Sequence, residues 1–237
     1  WEKMKEDDYY WWRQRFKHLL KYVDLVRIDH FRGFEAAWQI PATGKTAIDG
    51  KWVKGPGFGF FSVLEKHLGR LPVIAEDLGF ITREVLALKN YFSYPGMGIL
   101  QFAFEGGKKI LFSTLTDTNS VIYTGTHDND TIIGWYNKCI EASPKVINLA
   151  KKHFNINTTM TNEDISWGFI EIALSSNAKL SIIPLQDVFC LGSSARMNLP
   201  GTVGDNWNWR FEKKDLSLIT ANKLAQMTLK YKRGLNK

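Results

Sequence analysis

A chain of 237 residues, 44% apolar and 14% aromatic, has material for one sizeable globular core or part of a larger one, which excludes a disordered segment. The formal net charge of +7 would point to nucleic acid or a membrane surface only if the basic residues were bunched. The densest groups, Lys213-Lys214 and Lys230 to Lys237, are short, sit at the C-terminal edge and read as a solvated helix face, so neither partner is expected.

Cys139 and Cys190 are too few and too isolated for a disulfide framework or a zinc site, which favours a reducing, cytoplasmic compartment. No apolar run reaches transmembrane length. The chain opens on Trp1 and a charged, aromatic run, so its natural start is expected to lie upstream.

In chain order, Tyr9, Trp12, Phe16, Leu19 and Leu20 mark the face of an amphipathic helix. A strand, YVDLVRID, follows at Tyr22 to Asp29. Further strands are expected at Leu71 to Leu78, Gly96 to Phe104, Ser120 to Asp128 and Leu180 to Val188. Helices are expected between them at Phe60 to Leu68, Arg83 to Phe92, Thr131 to Lys138 and Asp164 to Ser175. TNED, at Thr161 to Asp164, suits a helix start, because the Thr oxygen accepts free amides of the first turn and the acids favour its positive end.

Short apolar strands alternating with amphipathic helices predict an α/β fold, a parallel sheet covered by helices. Polar residues crowd the end of nearly every strand: Asp29 and His30, Glu76 and Asp77, His127 and Asp128, Gln186 and Asp187. A (β/α)8 TIM barrel places its site at that rim, whereas a dinucleotide-binding sheet concentrates its signature in one Gly-rich turn after the first strand, and none is visible. Five strands of eight make residues 1–237 the C-terminal portion of a single catalytic barrel whose first strands precede Trp1.

Three segments imitate other sites. PATGKT ends like a phosphate loop, but the first glycine of that motif would fall on Gln39. GPGFGF, at Gly55 to Phe60, reads as a mobile surface loop. HDND, at His127 to Asp130, begins like a calcium loop, yet Ile132 occupies the next ligand position, so no metal is indicated.

The chemistry is expected at the carboxylates. Residues two apart in a strand point the same way, so Arg27 and Asp29 share a face and Ile28 takes the other. If Ile28 packs outward against helices, Arg27 and Asp29 face the barrel mouth, where the guanidinium orients the carboxylate. Glu76 and Asp128 end two further strands, and three carboxylates on one rim suit glycosyl chemistry, in which one attacks the anomeric carbon and another serves as acid. Carboxylates at strand ends also cap helices and pair with arginines, and spacing alone does not identify the substrate.

RIDHFRG, AEDLG and GTHDND, in that order, resemble the characteristic segments of 4-alpha-glucanotransferases of the amylomaltase or disproportionating-enzyme type, relatives of the alpha-amylase superfamily. TAIDGKWVKGPG, GMGILQFAF, PLQD, ARMNLPGT and NWNWR extend the resemblance from about Tyr22 to Arg210. It implies that Asp29 is the nucleophile, Glu76 the general acid and base, and Asp128 the carboxylate that stabilises the transition state. Arg27 and His127 would support the bound donor sugar.

The implied reaction is a retaining double displacement that moves alpha-1,4-glucan segments between maltooligosaccharides, without metal or organic cofactor. Transfer rather than hydrolysis would be favoured by aromatic residues that stack on sugar faces and crowd out water. Trp52, Phe58, Phe60, Phe102, Phe104, Trp207 and Trp209 are the candidates, and Asn198 is placed to hydrogen-bond a sugar hydroxyl. An amylase-like hydrolase, a non-catalytic glucan-binding module and a basic RNA-binding domain are the alternatives.

Overall fold

The computed structural model describes residues 1–154 and 160–234. Lys237, the end of the C-terminal basic group, lies outside them. The chain divides into two compact units, Trp1–Met97 and Gly98–Lys237.

In the first unit, α1 (Glu2–Lys5) and α2 (Tyr10–Leu19) lead to β1 (Val26–Ile28). A hairpin of β2 (Ala36–Gln39) and β3 (Lys51–Lys54) comes next, then α3 (Gly57–Leu68), β4 (Val73–Ala75) and α4 (Arg83–Tyr91). β1 and β4 pair in parallel, whereas β2 and β3 pair antiparallel with Trp38 opposite Trp52. The core gathers Ile28 from β1, Val73 and Ala75 from β4, Phe61 and Leu64 from α3, and Val85 and Leu88 from α4. Of the expected face of the opening helix, Tyr9 and Phe16 are buried while Leu19 is exposed.

The unit boundary falls within β5 (Gly96–Ile99). The second unit continues with α5 (Leu100–Glu105), α6 (Gly107–Thr116), β6 (Ser120–Tyr123), α7 (Ile132–Ala142) and α8 (Pro144–Phe154). It closes with α9 (Asn162–Ser175), β7 (Leu180–Ile182), α10 (Leu185–Val188) and α11 (Leu218–Lys230). The sheet order is β5-β6-β7, and β6 and β7 are parallel. Its core packs Phe104, Ile122, Ile132, Trp135, Ile165 and Phe169 together.

α9 begins as TNED predicts. The Thr161 hydroxyl accepts the Asp164 amide at 3.2 Å and the Asp164 carboxylate accepts the Thr161 amide at 2.9 Å, a reciprocal capping box. At its other end Arg233 donates to the Leu174 carbonyl at 2.9 Å and to those of Ser176 and Ala178, satisfying backbone acceptors near the helix terminus.

All five predicted parallel-type strands are present, but each is shorter than its apolar run. In GMGILQFAF only Gly96–Ile99 is a strand, and Leu100 onward is helical. Likewise Leu185–Val188 is helix rather than strand. A short, fully buried apolar run has no polar face to reveal its period, so strand and helix look alike in it.

GPGFGF is not a loop throughout, because α3 starts at Gly57. Gly55 is required by close approach: a Cβ there would stand 2.3 Å from the Phe34 carbonyl oxygen. PATGKT lies in the hairpin connection between β2 and β3 and opens no helix, so it has no phosphate cradle.

The helix also reassigns Phe60. It is fully buried, with ring centroids 5.0 Å from Phe34 and 5.1 Å from Tyr9, and cannot stack on a sugar. Phe58 remains exposed beside Tyr91. Phe60→Ala is expected to destabilise the protein by about 3–5 kcal/mol in denaturant unfolding, against less than about 1 kcal/mol for Phe58→Ala; equal losses would contradict this packing.

Candidate active site

The first unit builds a charged cluster from one strand pair. β1 and β4 run in register, with Val26 opposite Val73, Arg27 opposite Ile74 and Ile28 opposite Ala75. Ile28 and Ala75 join the core, so the alternation of the strand turns Arg27 away from it. Asp29 follows on the same side, and Arg27 Nη2 lies 2.8 Å from Asp29 Oδ1. The Asp29 side chain is 78% exposed, open to a reagent.

The ladder extends one step beyond the strands, since the Glu76 amide donates to the Ile28 carbonyl at 3.0 Å. Asp29 and Glu76 therefore leave neighbouring parallel strands at one level, where adjacent backbones stand about 5 Å apart.

Glu76 is held by backbone amides. Its Oε2 accepts from His30 N at 2.6 Å and its Oε1 from Leu78 N at 3.0 Å. His30 achieves this at φ 46°, a left-handed conformation uncommon for a residue with a side chain. The turn immediately after Asp29 thus carries backbone strain and aims an amide at the second carboxylate.

Trp52 stands on β3 with its ring half-exposed, facing Trp38 at 5.4 Å between centroids. The buried guanidinium of Arg32 lies 4.0 Å above the Trp52 ring and 5.4 Å from that of Phe80. It also donates to the Phe80 carbonyl. Arg32 and Phe80 were not among the predicted site residues, although both sit in segments that carry them, RIDHFRG and the stretch just after AEDLG. The available signal is an aromatic residue four positions after the strand-end carboxylate Glu76.

In the second unit, His127, Asp128 and Asn198 come together. Asn198 Nδ2 donates to Asp128 Oδ1 at 2.6 Å, and His127 Nε2 is 3.4 Å from Asp128 Oδ2. The Asn198 amide donates to the His127 carbonyl at 3.0 Å, and Arg196 donates to the Asp128 carbonyl at 2.5 Å. The Trp207 ring lies against His127, 5.1 Å between centroids. His127, Arg196 and Trp207 border a cavity of about 220 Å³ that also reaches Asp130, Gln186 and Asp187.

A larger groove of about 910 Å³ between α9 and α11 contains none of the predicted site residues. Its acids Glu163 and Glu171 are paired with Lys223 and Lys230.

Several expected rim or stacking residues are elsewhere. Phe104 is buried in the core and Phe102 exposed on α5. Trp209 packs near Phe211 at 6.1 Å. Asp130 is occupied by Lys138 at 2.5 Å and Ser193 at 2.8 Å. Among the described residues no group of three or more His, Cys, Asp or Glu is placed to hold a metal ion. No helix among them is long and apolar enough to cross a membrane.

Asp187 is the main correction. It was expected at the rim but is 1% exposed. One carboxylate oxygen accepts from Thr124 Oγ1 at 2.6 Å and the other from Ile132 N at 2.8 Å. Asp187 thereby clamps the two ends of the loop that carries His127 and Asp128. Burial pushes its carboxyl up from 3.8 to about 6, with the nearby charge of Asp130 adding to the rise, against the two hydrogen bonds.

Above about pH 6 the folded protein carries this buried charge at a cost. As pH falls towards 4, the folded state takes up a proton that the unfolded chain does not yet hold, so this group's contribution to stability rises. Asp187→Asn keeps an acceptor for Ile132 and removes the titration. The melting temperature of the wild type relative to this variant should increase between pH 7 and 5 by circular dichroism; a constant difference would refute the buried charge.

A family model described as 4-alpha-glucanotransferase matches residues 1–217. A 4-alpha-glucanotransferase of Synechocystis sp. is 46% identical over 238 residues, covering 99% of this chain and 46% of that protein. One from Thermus thermophilus is 42% identical over 220 residues, 92% of this chain and 44% of its own length. Among solved structures, an amylomaltase from Streptococcus agalactiae in complex with acarbose has a TM-score of 0.90 at 33% identity, over 99% of this chain and 46% of that one. The chain spans less than half the length of these relatives.

Proposed function

The chain belongs to the 4-alpha-glucanotransferase family, and from that premise we propose that it contributes the catalytic carboxylates of an enzyme that moves alpha-1,4-glucan segments between maltooligosaccharides. The observation that carries this reading is the arrangement at the ends of β1 and β4. Asp29, paired with Arg27 at 2.8 Å, and Glu76, held by two backbone amides, leave adjacent parallel strands at one register level.

Departure from adjacent strands, whose backbones lie about 5 Å apart, supports the close carboxyl pair of a retaining enzyme, which leaves no room for a water between carboxylate and sugar. Asp29 attacks the anomeric carbon while the glycosidic bond to the leaving oxygen breaks and Glu76 gives that oxygen its proton. A glucosyl ester on Asp29 results. The 4-hydroxyl of an acceptor glucan then attacks the same carbon, Glu76 takes its proton, and the ester bond breaks to restore Asp29.

Arg27 orients the nucleophile in both steps. Asp128 is assigned as the carboxylate that favours the transition state, with Asn198 and His127 holding it at 2.6 and 3.4 Å. His127 and Asn198 are assigned to sugar hydroxyls as well. Trp52, its ring fixed by Arg32 and half-exposed, is assigned to pyranose stacking.

Parallel pairing in β1-β4 and β6-β7, with intervening helices, supports a (β/α)8 barrel to which residues 1–237 supply later strands. A cytoplasmic setting, glucan partners and the absence of a cofactor complete the proposal.

Incubation of the intact natural protein with maltotriose should produce glucose together with a ladder of longer oligosaccharides. Glucose and maltose alone would identify a hydrolase, and no turnover with retained glucan binding would identify a binding module. Asp29→Asn is expected to lower kcat by at least about a thousandfold, since no covalent intermediate can form.

A further inference from the structure

We propose that the buried Asp77–Lys89 ion pair positions the nucleophile through Met97, making Met97 and Asp77 positioning residues for the transfer reaction on which this inference rests. Asp77 directly follows Glu76. Its carboxylate accepts from Lys89 Nζ of α4 at 2.6 Å and from the Met97 amide of β5 at 2.8 Å. The two charged side chains are only 11% and 9% exposed.

The pair lies directly against β5 because residue 96 is glycine. A Cβ at Gly96 would stand 2.4 Å from Asp77 Oδ2 and 2.6 Å from Lys89 Nζ. The backbone of Met97 is therefore fixed by a carboxylate that is itself fixed by a lysine.

Met97 is 8% exposed, and its sulfur accepts a hydrogen bond from Arg27 Nε at 3.2 Å. The adjacent Nη2 of the same guanidinium holds Asp29 Oδ1 at 2.8 Å. With one contact a guanidinium swings about it; with a contact at Nε and another at Nη2 its plane is set. The sulfur thus determines the direction from which Arg27 meets Asp29.

A buried ion pair is a poor way to gain stability, since well-packed apolar residues of similar volume do as well or better. What the charges add is direction. Asp77 anchors the strand end that carries Glu76 and, through Met97 and Arg27, the side chain of Asp29. One carboxylate outside the reaction thereby sets the relative placement of the two inside it.

Met97→Leu preserves side-chain volume and removes the acceptor. In the intact natural protein it is expected to lower kcat for maltotriose disproportionation about five- to tenfold, the loss of one hydrogen bond to a charged donor, with KM and melting temperature nearly unchanged. Replacing the sulfur by selenium, through selenomethionine, should retain wild-type kcat because an acceptor remains.

In an Arg27→Lys background the Met97→Leu effect should vanish, as expected when one residue acts only through the other. Wild-type kcat in Met97→Leu, or an undiminished effect in the Arg27→Lys background, would overturn the proposal. Asp77→Asn leaves the Lys89 ammonium buried without its partner, so the isosteric Met97 variant decides the matter. An inactive wild-type protein refutes the transferase reading and removes the premise of this one; an active wild type with an indifferent Met97→Leu refutes this one alone.

Discussion

The parallel pairing of β1 with β4, Ile28 opposite Ala75, is the constraint on which the first unit's chemistry depends. Burying Ile28 and Ala75 together in the core leaves Arg27 and Asp29 no choice of side, because strand geometry alternates. A register slip of one residue would bury the charges and expose the apolar pair, so the hydrophobic core itself enforces the orientation of the candidate nucleophile. The same ladder, continued from Glu76 N to Ile28 O at 3.0 Å, sets the height of Glu76.

Glu76 in the first unit and Asp128 in the second are secured by different devices. In the first, backbone amides do the holding: His30 N and Leu78 N fix Glu76, and the left-handed turn at His30 aims one of them. In the second, side chains do it: Asn198 and His127 flank Asp128, while the buried Asp187 ties Thr124 to the Ile132 amide. Amide cradles follow from chain path alone, so they tolerate changes of sequence around them. Side-chain clamps need a particular residue at a distance, which is why Asp187, 59 residues after Asp128 in the chain, bears on the loop that carries Asp128.

Much of this was legible in the residues. The i, i+2 spacing of Arg27 and Asp29 predicted a shared face, and the ion pair is there. Thr161 and Asp164 predicted a helix start, and the capping box is there. The misreadings have a common cause. Leu100 to Phe104 and Leu185 to Val188 are largely buried and too short to show a period. Asp187 ends an apolar run, as the rim residues of a barrel do, but here two donors in the interior compensate its charge.

By itself the sequence determined which residue types stand together: an arginine and a carboxylate two apart, a carboxylate after nearly every apolar run, and a set of segments in the order shared by one family. Those are local facts, decided by backbone periodicity over a few residues. Tertiary structure alone decided that Phe60 is core and Trp52 is half-exposed, that Asp187 clamps a loop, and that Met97 lies between Asp77 and Arg27. The reason is physical: a side chain's burial and partners depend on elements far away in the chain, and no local pattern encodes which of them will arrive.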